Sequence, residues 1–211
     1  MAFRTLLLDI DGTLLDTREF IYSAFEHTIR ANGLTPTGRT ELQRVMGLPL
    51  EEIYGSMGAT DPWAMVAAHR AFQGENLHLS FAFPGVIGVL ERLRAAGIAM
   101  AAVTSRSRGT SLRTLEDAGL DGFFAAVVSA EDTIELKPDP APLRLALALL
   151  KAPVETAAMV GDTAHDIVAG RAAGMKTIGV TYGFNPQAVI DARPDWTIAS
   201  IAELPAVLRL A

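Results

Sequence analysis

Short apolar runs that end in small or acidic residues alternate along the chain with longer segments of helical spacing. "TLLLD" closes at Asp9, "IAMAAVTS" at Thr104 and Ser105, and "FAAVVSAED" near Ser129; "AAMVGD" closes at Asp162 and "KTIGVTYG" at Thr181. Both faces of these runs are apolar, the pattern of parallel strands covered by helices on each side. Between them, "PGVIGVLERLRAAG" has a proline start, apolar residues three and four apart, and a stop at Gly97. "SLRTLEDAGL" and "APLRLALALLKA" read the same way. Strand and helix alternating in this manner predict a doubly wound α/β fold around a parallel sheet.

One region departs from that rhythm. From Thr17 to Ser80 the pattern is helical throughout, in "REFIYSAFEHTIRANG", "RTELQRVMG", "LEEIYGSMG" and "DPWAMVAAHRAFQGENL". Breakers separate these segments at Gly33, Pro36, Gly47, Pro49, Gly58 and Pro62. The spacing predicts a small all-helical domain at 17–80 inserted into an α/β core of 1–16 and 81–211. Its hinges fall near Leu15–Arg18 and Leu79–Pro84. The alternative is that these helices pack on the sheet as extra layers.

Composition narrows the class. Half of the 211 residues are hydrophobic and the formal net charge is −6, with no run of Lys or Arg, so a nucleic-acid partner is not expected. The absence of cysteine excludes disulfides and thiolate metal sites. The opening "MAFRTLLLDIDG" is too briefly apolar and too soon acidic for a signal peptide. No stretch reaches the roughly 18 apolar residues of a membrane helix. A cytoplasmic protein is expected, without membrane partners; the oligomeric state is not encoded in any pattern here.

In a parallel sheet the ligand site lies beyond the carboxyl ends of the strands. Those ends present Asp9, Asp11, Gly12 and Thr13, then Thr104 and Ser105, then Asp162 and Asp166; the loop "LKPDP" adds Lys137. Asp9, Asp11 and Asp162 in one crevice cannot all stay ionised without a cation, and oxygen ligands without His or Cys favour Mg²⁺. A lysine and hydroxyls beside them suit phosphate oxygens, and Gly12 lets backbone N–H groups approach an anion. Acids, one lysine, hydroxyls and Mg²⁺ together are what phosphoryl transfer requires. Asp166 also reads as a first-turn acid favoured by the helix dipole. Arg106 and Arg108 read as solvated loop residues, the alternative being that they lean toward the substrate, and none of the four histidines has a metal-ligand case.

The motifs "DIDGTLLDT", Thr104 at a strand end, Lys137 in "KPDP" and "GDTAHD" resemble, in order, the four motifs of the haloacid dehalogenase superfamily. "FPGV" at 83–86 and "GVTYGFNP" at 179–186 further resemble its phosphoglycolate-phosphatase-like branch, which has a helical cap between the first and second motifs. The resemblance implies a Mg²⁺-dependent phosphatase acting on a small phosphorylated metabolite, with 2-phosphoglycolate the leading candidate. It implies that Asp9 forms an aspartyl-phosphate and that Asp11 is the general acid and base. Asp9, the backbone carbonyl of Asp11, and Asp162 would hold Mg²⁺, with Asp166 acting through water or orienting the others. Thr104, Ser105, Lys137 and Gly12 would serve the phosphoryl group, while Arg18, Arg44 and Arg70 are candidates for a substrate carboxylate.

Other members of the superfamily are weighed on the same residues. Asp11 and Asp162 argue against a metal-free dehalogenase. A β-phosphoglucomutase-like activity calls for a histidine at position 21 and an arginine near position 51, where this chain has Ile21, Glu51 and Glu52. Pyrophosphate hydrolysis stays open. A non-catalytic Mg²⁺- and phosphate-binding signalling module is disfavoured by the helical insertion and by the acid two residues from the nucleophile.

Overall fold

The computed structural model describes residues 3–45 and 48–210; Gly47, read above as a helix breaker, lies outside the described residues. The chain divides into two compact units, one of 1–16 with 81–211 and the other Thr17–Ser80.

The first unit is built on strands β1 (Thr5–Leu8), β4 (Ala99–Val103), β5 (Ala126–Val128), β6 (Ala157–Gly161), β7 (Lys176–Val180) and β8 (Trp196–Ile198). They form one parallel sheet in the order β5-β4-β1-β6-β7-β8. Successive side chains of a strand point to opposite faces, and here each face has its own core. Leu6, Leu8, Met100, Val160 and Ile178 pack with Leu90 and Leu93 of α5 (Val86–Ala95), Leu115 of α6 (Arg108–Asp117) and Leu204 of α10 (Leu204–Val207). Leu7, Ala101, Val103 and Met159 face the other way, onto Leu143 and Leu147 of α7 (Ala141–Leu150) and Ala169 of α8 (Ala164–Ala172). A sheet covered on both sides leaves only its strand ends for polar chemistry. The helix α9 (Pro186–Asp191) starts on Asn185, whose side chain accepts from the Ala188 N–H.

Two features were not read from the pattern. β8 carries only three residues, two of them exposed, so it has no apolar run to announce it. A two-residue antiparallel pair, β2 (Leu15–Asp16) with β3 (Phe81–Ala82), sets Leu15 opposite Ala82 and Asp16 opposite Phe81. It joins the two chain segments that flank the insertion.

The second unit consists of α1 (Arg18–Ala31), α2 (Arg39–Val45), α3 (Leu50–Ser56) and α4 (Pro62–Glu75). Asp61 accepts from the Ala64 N–H and Pro62 follows it, so α4 begins with a side-chain cap and a residue whose missing donor costs nothing there. Tyr54 and His69 are buried and joined through Oη and Nδ1 at 2.7 Å, with Phe25 against both rings. His69 is thus a satisfied core residue. Arg18, Arg44 and Arg70 are exposed on this unit. Among the described residues, no helix is long and apolar enough to cross a membrane.

Candidate active site

β4, β1 and β6 are neighbours, with Leu8 in register with Ala102 on one side and Val160 on the other. The residues following these strands therefore emerge side by side at the carboxyl edge. The Asp9 N–H donates to Val160 O at 2.9 Å, extending the ladder one residue and fixing where its side chain leaves the sheet.

Lys137 arrives from the loop after β5 and is buried among acceptors. Its Nζ donates to Asp9 Oδ1 at 2.6 Å, Asp166 Oδ1 at 2.6 Å and Val103 O at 2.9 Å. An ammonium has three donors, and all three are taken. Asp166 is set by a reciprocal cap at the start of α8. The Thr163 N–H and hydroxyl donate to its Oδ2, and its own N–H donates to Thr163 Oγ1. Asp166 thus caps α8 with Oδ2 while Oδ1 accepts from Lys137.

Asp162 is held differently. Its Oδ2 accepts the Phe184 N–H at 2.9 Å, while its Oδ1 is buried without a hydrogen-bond partner. A Cβ on Gly12, where φ is +76°, would lie 2.1 Å from Asp162 Oδ2, and one on Gly183 2.3 Å from it. These glycines make room for the carboxylate. The Gly12 N–H donates to Leu15 O inside the turn. Gly12, expected from the sequence to let backbone N–H groups approach an anion, here makes space for the Asp162 carboxylate.

Asp11 stands apart from this triad. Its Oδ1 accepts from Arg106 Nη1 at 2.9 Å, and both side chains are mostly buried. The reading of Arg106 as a solvated loop residue is corrected by that contact; Arg108 does lie at the surface, paired with Asp132. Thr104 is buried, with its Oγ1 accepting the Arg106 N–H at 3.1 Å, and Ser105 beside it is half-buried. Tyr182, unnoticed in the sequence as a site neighbour, donates its hydroxyl to Thr13 O, and burial together with the Asp162 charge pushes its phenol up.

One oxygen each from Asp9, Asp162 and Asp166 can be chosen so that all lie within 4.8 Å of one another. With Asp162 Oδ1 buried and unpartnered, and the surrounding carboxylates set against Lys137 and Arg106, the residues fit a hard divalent cation such as Mg²⁺. Without one, burial and the neighbouring carboxylates push Asp162 well up, and burial lifts Asp9 to about 7 against the pull of Lys137. Burial alone would lower the Lys137 ammonium, but Asp166 and Asp9 raise it above its ordinary value.

These shifts set a pH dependence. Between the ordinary value of 3.8 and about 7, folded metal-free protein keeps a proton on Asp9 that the unfolded chain has lost. Stability then declines as pH rises through that window. In EDTA the melting temperature is expected to be lower at about pH 7.5 than at about pH 5.5. Mg²⁺ should raise it most at the higher pH. Asp162→Asn should raise the EDTA value near neutral pH and lose the Mg²⁺ response. Calorimetric melts across pH check all three, and a flat or rising EDTA profile would contradict the buried-acid account.

Residues 6–180 match the family of haloacid dehalogenase-like hydrolases. The chain belongs to that family. A curated relative, pyrophosphatase PpaX of Bacillus mycoides (strain KBAB4), is 33% identical over 210 residues, 99% of this chain and 98% of the relative. Among solved structures, the haloacid dehalogenase-like family protein SP0104 from Streptococcus pneumoniae shares the fold with a TM-score of 0.87 at 24% identity, covering 97% of this chain and 98% of that one. A mutant of CbbY from Rhodobacter sphaeroides, in complex with xylulose-(1,5)bisphosphate, has a TM-score of 0.85 at 25% identity over 97% of this chain and 96% of its own. The parallel six-stranded core is thus the hydrolase core of this family.

Proposed function

We propose that this hydrolase is a Mg²⁺-dependent phosphatase that passes a phosphoryl group first to Asp9 and then to water, with inorganic pyrophosphate its leading substrate. The observation that carries the reading is the set around Asp9: a buried carboxylate clamped by Lys137, beside Asp162 with one oxygen unpartnered, and a separate acid, Asp11, two residues on. Asp9 attacks phosphorus, and Asp11 protonates the leaving oxygen and then takes a proton from the water that opens the acyl phosphate. Lys137 favours the ionised form of Asp9 against burial and holds it in place, and Thr104 and Ser105 bind the oxygens of the transferred group. Asp9, Asp162 and the Asp11 carbonyl would hold Mg²⁺, with Asp166 orienting. Bound there, the cation neutralises charge on these acids and on the phosphoryl oxygens.

The full-length likeness to a pyrophosphatase favours pyrophosphate over the 2-phosphoglycolate expected from the motifs, which is the second reading. Phosphate release should be measured from pyrophosphate, 2-phosphoglycolate, sugar phosphates, nucleotides and p-nitrophenyl phosphate, each with Mg²⁺ and with EDTA. Mg²⁺-dependent release with one clear preference is expected. Release from none of them would overturn the phosphatase and leave a mutase or a binding role.

Asp11→Asn is expected to slow turnover by roughly 10²–10⁴, the usual scale of general acid–base catalysis. The loss should be smaller for p-nitrophenyl phosphate, whose leaving group needs little protonation. Steady-state kcat on both substrates checks this, and an equal loss on both would point to a purely structural part for Asp11.

A further inference from the structure

Arg106 is a second cation at the site, and the aspartyl chemistry above gives it no task. Its guanidinium is braced from two sides, Nη1 donating to Asp11 Oδ1 at 2.9 Å and Nη2 to Thr114 Oγ1 at 2.8 Å on α6. The Thr114 hydroxyl donates in turn to Thr110 O, so its direction is set by the helix. At the other end the Arg106 N–H is tied to Thr104 Oγ1. The side chain is 12% exposed, which means that most of its rotamer freedom is gone before any ligand arrives. Such an arginine is more than a surface counter-ion.

Resting on the reading of Asp11 as proton donor to the leaving oxygen, we infer that Arg106 is a specificity-determining residue that favours substrates whose leaving group is itself an anion, a phosphate above all. A general acid has to come within about 3 Å of the oxygen it protonates. Arg106 Nη1 sits 2.9 Å from the same carboxylate, so whatever is bonded to the leaving oxygen lies within its reach. In pyrophosphate that group carries anionic oxygens next to the bridge, and the planar guanidinium fork matches them. A neutral alcohol offers the guanidinium no charge to meet. The site's carboxylates also repel a polyanion, which makes a fixed cation on the leaving side worth more.

In the first step an Asp9 carboxylate oxygen bonds to phosphorus while the bridging P–O bond breaks, and its electron pair stays on the departing oxygen. The Asp11 proton joins that oxygen, and hydrogen phosphate leaves. Water then attacks the phosphorus of the acyl phosphate, its proton returns to Asp11, and the second phosphate departs with Asp9 restored. Arg106 keeps its protons throughout and meets the charge that grows on the leaving phosphate.

The test separates leaving-side recognition from turnover. With Mg²⁺ present, imidodiphosphate and inorganic phosphate are titrated calorimetrically into wild type, Arg106→Gln and Arg106→Lys. The ratio of kcat/KM for pyrophosphate to that for p-nitrophenyl phosphate is measured alongside. A hydrogen bond to a charged group sets the expected scale, roughly 10- to 100-fold weaker imidodiphosphate binding by Arg106→Gln, with phosphate affinity changed by less than about 3-fold. Arg106→Lys, which keeps the charge but not the fork, should fall between. The kcat/KM ratio should drop by about tenfold or more in Arg106→Gln. Equal losses for both ligands, or an unchanged ratio, would overturn the inference. A wild type that releases no phosphate from any substrate would sink the phosphatase reading and this inference with it, whereas a working phosphatase whose ratio is untouched by Arg106→Gln would overturn this inference alone.

Discussion

Asp9→Asn is expected to reduce phosphate release by roughly 10⁴–10⁶, the scale on which loss of a covalent nucleophile acts. The amide has nearly the shape of the carboxylate but no nucleophilic anion, so the acyl phosphate cannot form. Covalent labelling by radiolabelled pyrophosphate, trapped by acid quench, should vanish together with turnover. The fold should survive. Burial already pushes the Asp9 carboxyl up to about 7, so removing its charge relieves desolvation even as the Lys137 ammonium exchanges a charged acceptor for a neutral one. A variant that melts near the wild-type temperature but neither turns over nor labels is the expected result. Ordinary activity in Asp9→Asn would move the nucleophile elsewhere.

Lys137→Met is expected to give the largest loss of stability. It removes the ammonium shared by Asp9 and Asp166 and leaves two buried carboxylates facing each other without it. Removing one partner of a buried ionic cluster costs about 3–5 kcal/mol. The sign with pH is fixed by the acids. Near pH 8 Asp9 must stay charged beside Asp166 or take up a proton against the solution, so the loss is at its greatest. Near pH 5 protonation of Asp9 relieves the repulsion and the difference from wild type shrinks. Urea unfolding in EDTA at the two pH values measures this, and midpoints matching wild type at both would mean that the cluster does not hold the core together. Activity should fall too, because Asp9 loses a cation that favours its ionised form.

The alternation of apolar runs and helical spacing was enough to read the parallel sheet and its carboxyl edge, because two-sided burial leaves a continuous hydrophobic signature on each inner strand. The peripheral elements left no such mark. Trp196–Ile198 is a short outer strand with two exposed residues, and the Leu15–Asp16 and Phe81–Ala82 pair has only two residues on each side. Their pairing depends on what lies beside them, not on any periodicity of their own. The same holds for Asp166, whose first-turn position was legible while its bond to Lys137 was not.

Asp9, Asp11, Thr104 and Asp162 are legible from where apolar runs stop, while Lys137 is legible only from its loop motif "KPDP" and Asp166 from its place one helical turn after Asp162. Which polar atom meets which is a matter of side-chain direction across long sequence separations. No local pattern encodes that Arg106 turns to Asp11, 95 residues away, while Arg108 turns to Asp132. Nor does any pattern encode that the Phe184 N–H claims one oxygen of Asp162 and leaves the other without a partner. Propensity and burial act residue by residue and can be read along the chain. Hydrogen-bond partnership is directional and short-ranged, so it is decided only when packing brings the loops of separate strands within about 3 Å of one another.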